Sequence, residues 1–317
     1  VSIPVEVLLL GARRAWRVLP AIPPLLVLTW ALLSWAKLDA GFDLLGTSDP
    51  RWLLLASVFT WIGFGVGALA QQGAVMQALP WRSLLAVQMA AGLANHFTPA
   101  STGGGIVNMN YLRRQGLTRS QALSGIALNS AATIVTHVAI LVAVVVVAPH
   151  TLAPIPLHVA PIAIGAGVLV VAAVIAVIAW RRGMRERSGE SRWRHTVAEL
   201  RAVCRHPTRA MQLWGAALTA PLMHAAILVC IAHAIGLHVG VAAIVVTYFA
   251  ASGLASLAPS FGGMGALDLT LGVALAHLSG DSAGAVAVVL GYRLATTWMP
   301  LVPSAVAMAL LMRKRIL

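Results

Sequence analysis

Long apolar stretches separated by short basic or polar clusters run the length of this chain. Six of them, residues 19–36, 52–72, 120–148, 158–180, 209–235 and 283–312, read as full transmembrane helices, most near the ~20 residues that a bilayer demands. Two further apolar segments, 81–116 and 241–280, are interrupted in the same way. Gly92-Leu93-Ala94-Asn95-His96-Phe97-Thr98-Pro99 runs into Gly103-Gly104-Gly105, and Gly253-Leu254-Ala255-Ser256-Leu257-Ala258-Pro259 runs into Gly262-Gly263-Met264-Gly265. Proline removes a backbone donor and disfavours a helical residue before it, and glycine tolerates positive φ, so each block ends one half-helix and starts another. Irregular backbone at membrane depth survives only when buried in protein or lining a cavity. The expected fold is an all-α polytopic membrane protein with about six full spans and two oppositely oriented re-entrant helical hairpins.

Three full spans separate the interrupted segments. An odd number makes the second hairpin enter from the opposite side, so the expected repeat is inverted, with cores at about 81–148 and 241–312 of a single transmembrane domain, residues 1–317. At an offset of 160, Pro99 matches Pro259, Gly103 matches Gly263, Gly105 matches Gly265 and Asn108 matches Asp268. After a shift of four residues, Gly116 matches Gly280, Asn129 matches Arg293 and Thr133 matches Thr297. Paired, interrupted hydrophobic segments in corresponding halves point to the binding site of a transporter.

Composition agrees with the membrane reading: 59% of the residues are hydrophobic and 10% charged, where a soluble domain carries roughly 25% charge. The net charge of +13 follows topology and not nucleic acid. With a cytoplasmic N-terminus and two re-entrant segments, the inner face collects Arg13, Arg14, Arg17, Arg82, Arg113, Arg114, Arg119, the nine arginines from Arg181 to Arg209, and Arg313-Lys314-Arg315; the outer face keeps Lys37 and Arg51. That is the positive-inside bias, and it predicts a multi-pass protein of the inner (plasma) membrane with both termini cytoplasmic. The basic linker 181–209 carries Trp193, Val197, Leu200 and Cys204 at helical spacing, a pattern suited to lying on the membrane surface. Residues 37–51 read as a short outer loop. The two cysteines, Cys204 and Cys230, imply neither a disulfide nor a metal cluster.

Charge inside a bilayer is expensive, so the ionisable residues left within the apolar segments bear most on function. These are Asp268 and Arg293. From Asp268 the chain climbs to Gly280 and descends to Arg293, each leg ~18 Å at 1.5 Å per residue, which puts both at one depth. The pair is either a strut that fixes the hairpin to the last span, or the seat of an anionic headgroup on Arg293. The same reasoning brings Asn108 to the level of Asn129. His96 and Thr98 stand before the first break as phosphate-contact or purely structural residues. Half-helices starting at Gly105 and Gly265, with Gly104 and Gly263 beside them, aim unsatisfied N–H groups towards mid-membrane and are suitable anion seats. His137, His224 and His233 read as interhelical hydrogen-bonding residues, and Gly63-Phe64-Gly65-Val66-Gly67 as a small-residue face for close helix packing. No Walker A loop, HExxH, GxSxG or CxxC motif is present, so neither an enzyme nor a cofactor is expected.

The stretch Pro259 to Asp268, Gly280, and the run Leu290-Gly291-Tyr292-Arg293 leading to Trp298-Met299-Pro300 resemble the transmembrane region of lysylphosphatidylglycerol synthases and its stand-alone relatives. The resemblance spans about residues 52–312 and implies a lipid flippase fold. In that family Glu usually stands where this chain has Asp268, and Arg often where it has Asn129. The leading expectation is a translocase for phospholipid or another phosphate-bearing lipid, with membrane lipids as partners and a homo-oligomer or a cytosolic synthase as further possible partners. The alternatives are an integral-membrane enzyme, or an accessory subunit, of glycolipid, polyprenyl-phosphate or hopanoid metabolism.

Overall fold

A computed structural model describes residues 35–98, 101–147, 201–203, 205–257 and 265–317. Among the described residues the chain is helical and free of strands: α1 (Trp35–Gly46), α2 (Pro50–Gly73), α3 (Trp81–Phe97), α4 (Gly103–Arg114), α5 (Arg119–Val147), α6 (Pro207–Ile235), α7 (Val241–Leu257), α8 (Ala266–Ser279), α9 (Ser282–Arg293), a π-helical turn Leu294–Trp298, and α10 (Met299–Arg313). Among the described residues, four helical runs are long and apolar enough to cross a membrane: Pro50–Gly73, Arg119–Ile140, Pro207–Ile235 and Ser282–Arg313. The expected span 158–180 lies outside the described residues, as does 19–36 but for Trp35 and Ala36, and most of the linker 181–209 does too. Residues 37–51 are not simply an outer loop, because they contain most of α1. That helix packs along α9, where a Cβ on Gly41 would stand 3.0 Å from Val286 Cγ1 and one on Gly291 3.1 Å from Leu45 Cδ1. Asp39, Asp43 and two glycines mask an apolar face that needs α9 to cover it.

Helix α6 is the central span: half of its most apolar stretch is buried, against 22% for α5. It runs antiparallel to α2. Asp49 caps the start of α2, its Oδ1 accepting from the Arg51 N–H at 2.9 Å, and the Asp49 N–H donates to Ala234 O at the far end of α6. At the other end, a Cβ on Gly73 would lie 2.8 Å from Leu213 Cα and 2.9 Å from Arg209 O, so only glycine allows this approach. There Arg209 donates to Gln72 O at 3.2 Å and Met76 O at 3.1 Å, placing a cation on a last-turn carbonyl of α2 and on one just beyond the helix. Pro221 lies inside α6 and cannot donate to Ala217 O. Thr136 Oγ1 of α5 stands 3.0 Å from that carbonyl.

Both interrupted segments fold as two helices packed on one another, α3 with α4 and α7 with α8. Around the first, Gln77 Nε2 donates to Gln115 O at 2.7 Å, tying the chain before α3 to the chain after α4. Around the second, Leu237 before α7 reaches Gly284, just after α8. The first unit thus begins and ends beside Arg209, the second beside Ala234, at opposite ends of α6. Gly116 after α4 and Gly280 after α8 both take left-handed φ, +93° and +70°, a conformation that Cβ disfavours. These are the positions that the offset alignment pairs. The end of the bundle near Arg209 also carries Arg82, Arg113, Arg114, Arg119 and Arg313-Lys314-Arg315; the opposite end carries Asp43, Asp49 and Asp281, with Arg51.

Two buried clusters follow the halves. Tyr111, Leu84 and Leu112 centre one, with Leu311 of α10 joining it; Phe249, Leu228, Ile231 and Leu271 centre the other. Large apolar side chains lie open on the outside, among them Leu54, Met211, Val273 and Val302, as expected where lipid, and not water, is the solvent.

Candidate functional site

The predicted Asp268–Arg293 pair forms. Asp268 is the third residue of α8; its Oδ2 accepts from the Gly265 N–H at 3.0 Å and its Oδ1 from Arg293 Nε at 2.5 Å. The carboxylate thus closes the start of its own helix, where the macrodipole favours it, and grips the end of α9 by a charge-assisted bond. The side chains are 12% (Arg293) and 16% (Asp268) exposed, so the pair is mostly, not wholly, withdrawn from its surroundings.

Arg293 stands in the wall of a cavity of about 360 Å3. Arg293, Thr296, Thr297, Pro300, Leu301 and Ser304 follow one another along a single face of the α9–π–α10 run and all line it. The π turn, in which the Met299 N–H reaches Leu294 O, lies where Pro300 and Pro303 withhold N–H groups from the following turn. Opposite are His224 of α6, with Nδ1 3.0 Å from the Tyr292 hydroxyl and its ring stacked 6.2 Å from that of Tyr248. His96 and Ser101 from the first interrupted unit and Leu267 from the second reach the same space. His96 Nδ1 is buried without a hydrogen-bond partner among the described residues.

A second cavity of about 370 Å3 continues from the first and shares Gly63, Phe64, Gly92, Asn95 and Ser101 with it. Here the expected Asn108 and Asn129 meet, but each bonds to a glutamine on another helix. Gln88 Nε2 donates to Asn108 Oδ1 at 3.0 Å, Asn108 Nδ2 donates to Gly104 O at 2.8 Å, and Asn129 Nδ2 donates to Gln71 Oε1 at 3.4 Å. Thr60, Gly63, Gly67 and Gln71 form one stripe of α2 along both cavities, a rise of ~16 Å at 1.5 Å per residue. The glycines expected to pack helices together therefore do something else: a Cβ on Gly63 would meet nothing within 4 Å, and Gly67 faces Gln88. Close packing falls instead to Gly73.

Two of the N–H groups at the start of α4, where an anion seat is expected, are bonded by the chain itself. The helix begins at Gly103, two residues before the expected Gly105. Thr98 Oγ1 accepts from the Gly103 N–H and Asn95 Oδ1 from the Gly104 N–H, both at 2.7 Å. Thr98 thus serves the backbone of the break, although Gly104 and Gly105 do line the second cavity. Gly263 lies outside the described residues. His137 bonds across helices to Ser252 Oγ at 3.0 Å and His224 to Tyr292, whereas His233 Nδ1 turns back to Val229 O of its own helix at 2.9 Å and packs at a tilt on Trp52. The residues that sequence reasoning passed over, Gln71, Gln88 and Asn95, had left a signal: carboxamides inside apolar helices.

An all-helical membrane protein with a polar site between two interrupted helical units is the class these features define. Residues 11–304 match the family described as the lysylphosphatidylglycerol synthase TM region, and the chain belongs to that family. The resemblance read from residues 259–300 holds, and the match extends further towards the N-terminus than residue 52. No curated protein matches the chain.

Proposed function

We propose that this protein is a translocase and not an enzyme, moving a phospholipid or other phosphate-bearing lipid between leaflets through the cavity between two re-entrant hairpins, α3–α4 and α7–α8. The observation that carries the reading is Arg293 in the cavity wall, held by Asp268 and reached by residues from both interrupted units. The twelve residues of α9 carry Arg293 ~18 Å below the end of the bundle, near the middle of a ~30 Å hydrocarbon core. A charge at that depth is costly and marks a substrate path. The lipid phosphate meets the guanidinium while the acyl chains stay in the bilayer. The opposite ends at which the two units start and return support an inverted repeat. The basic end supports a cytoplasmic face that carries the linker and both termini at the inner membrane.

The test is flipping of a fluorescent phosphatidic acid in proteoliposomes, measured beside thermal stability. Arg293→Gln is expected to abolish flipping. Either Arg293→Gln or Asp268→Asn strands the other charge and costs ~3–5 kcal/mol, which the double variant recovers. Flipping does not return in the double variant. If it returns together with stability, the pair is only a strut and the headgroup role is wrong.

A further inference from the structure

The two joined cavities differ in chemistry. Among the described residues that line them, Arg293 supplies the one fixed positive charge, at one end, and no carboxylate lines either cavity. The other end is a chamber of five carboxamides, Gln71, Gln88, Asn95, Asn108 and Asn129, with the hydroxyls of Ser101 and Ser130. Their hydrogen bonding to each other is incomplete. Gln71 is 1% exposed and its Nε2 has no partner among the described residues. Asn95 Nδ2 and Asn129 Oδ1 make no hydrogen bond within the described residues, while Asn95 Oδ1 and Asn129 Nδ2 do. A polar group left unpaired in a buried site costs the full price of its desolvation, and whichever way round the Gln71 amide is set, one of its two polar atoms lacks a partner among the described residues.

Side-chain amides offer a donor and an acceptor on one planar group, and the matching ligand group is a hydroxyl, which is both at once. A cationic headgroup finds no anionic wall here, and burying a charge without a partner is prohibitive. An apolar headgroup would leave the amides unsatisfied. We infer that the carboxamide chamber is a subsite for a neutral, hydroxyl-rich headgroup, a polyol or sugar, whose phosphate lies at Arg293. Each cavity falls within the roughly 300–1,000 Å3 of small-molecule sites, and the ~16 Å stripe of α2 gives the length for a phosphate followed by such a group. The phosphate half of this inference rests on the translocase reading; the polyol half rests on the amides alone.

The full chain in detergent would be titrated with four dioctanoyl lipids: phosphatidylinositol, phosphatidic acid, lysyl-phosphatidylglycerol and glucosyl-diacylglycerol. Phosphatidylinositol is expected to bind about tenfold tighter than phosphatidic acid, the scale of one or two well-made hydrogen bonds, and lysyl-phosphatidylglycerol no tighter than phosphatidic acid. Gln71→Leu should erase that tenfold advantage and leave phosphatidic acid unchanged. Because Gln71 is fully buried, Asn129→Leu, at a half-buried position, gives an independent reading with the same expectation. The inference is overturned if phosphatidylinositol has no advantage, if the cationic lipid binds tightest, or if both variants weaken all four lipids equally. Phosphatidic acid that binds through Arg293 without any polyol preference would sink this subsite and keep the translocase reading. Glucosyl-diacylglycerol that binds through Gln71, with Arg293→Gln having no effect on any lipid, would keep the subsite and sink the phosphate role.

Discussion

Arg293 draws its importance from what surrounds it. In an exposed setting an Arg–Asp pair contributes little; here the partners are mostly withdrawn, the bond is short, and the guanidinium borders a cavity. Asn129, its counterpart in the offset alignment, has no charge and leans on Gln71. One residue difference at matched positions thus separates a charged end of the joined cavities from an uncharged one. Gly73 is decided by contact alone. Its would-be Cβ meets the Leu213 and Arg209 backbone, which cannot step aside as a flexible side chain can. Gly73→Ala is expected to destabilise the protein by ~1–3 kcal/mol, whereas Gly63→Ala, pointing into open space, should change stability by less than ~0.5 kcal/mol. Thermal unfolding of the two variants in the same detergent checks the contrast.

At the scale of the element, each break is repaired by a neighbour. Thr98 and Asn95 take the first N–H groups of α4, Asp268 takes the N–H of Gly265 ahead of α8, and Asp281 caps α9 by accepting from the Gly284 N–H at 2.9 Å. The hydrocarbon core of a bilayer offers no hydrogen bonds, so repairs at that depth come from the chain itself. Pro221 shows the same rule between elements. The carbonyl of Ala217 loses its helical donor, and the Thr136 hydroxyl of α5 stands over it. Thr136→Val keeps the shape and removes the donor; it is expected to cost ~1–2 kcal/mol. A Pro221→Ala background, which restores the helical donor, should erase most of that cost. A double-mutant cycle on thermal stability reads the coupling, and additive costs would show that Thr136 does not serve this carbonyl.

For the whole molecule, orientation is the open physical consequence. Ser48 and Ser279 lie at the end that carries Asp43, Asp49 and Asp281, and Lys314 at the end that carries the arginines. Ser48→Cys and Ser279→Cys are expected to react with an impermeant thiol reagent added to intact cells, and Lys314→Cys only after the membrane is opened. External labelling of Lys314→Cys would invert the assigned faces. Labelling of Ser48→Cys without Ser279→Cys would separate two points that the fold holds at one end, and would count against the second hairpin.

The long apolar stretches, the two Pro/Gly breaks and the two embedded charges determined by themselves that this chain is helical and lives in a membrane, and that Asp268 and Arg293 meet. Those conclusions need only composition, backbone chemistry and a count of residues along helices. The same reasoning brought Asn108 beside Asn129, and both line one cavity. It could not say which glycines let helices close and which hold space open, because Gly63, Gly67 and Gly73 are chemically identical and differ only in what faces them. Nor could it see that Thr98 and Asn95 take the Gly103 and Gly104 N–H groups at the start of α4, since a cap depends on where a bend aims a side chain. The joining of an arginine pocket to a carboxamide chamber was left to tertiary structure for the same reason: Gln71, Gln88, Asn129 and Arg293 lie on different helices, and only packing brings them to one space.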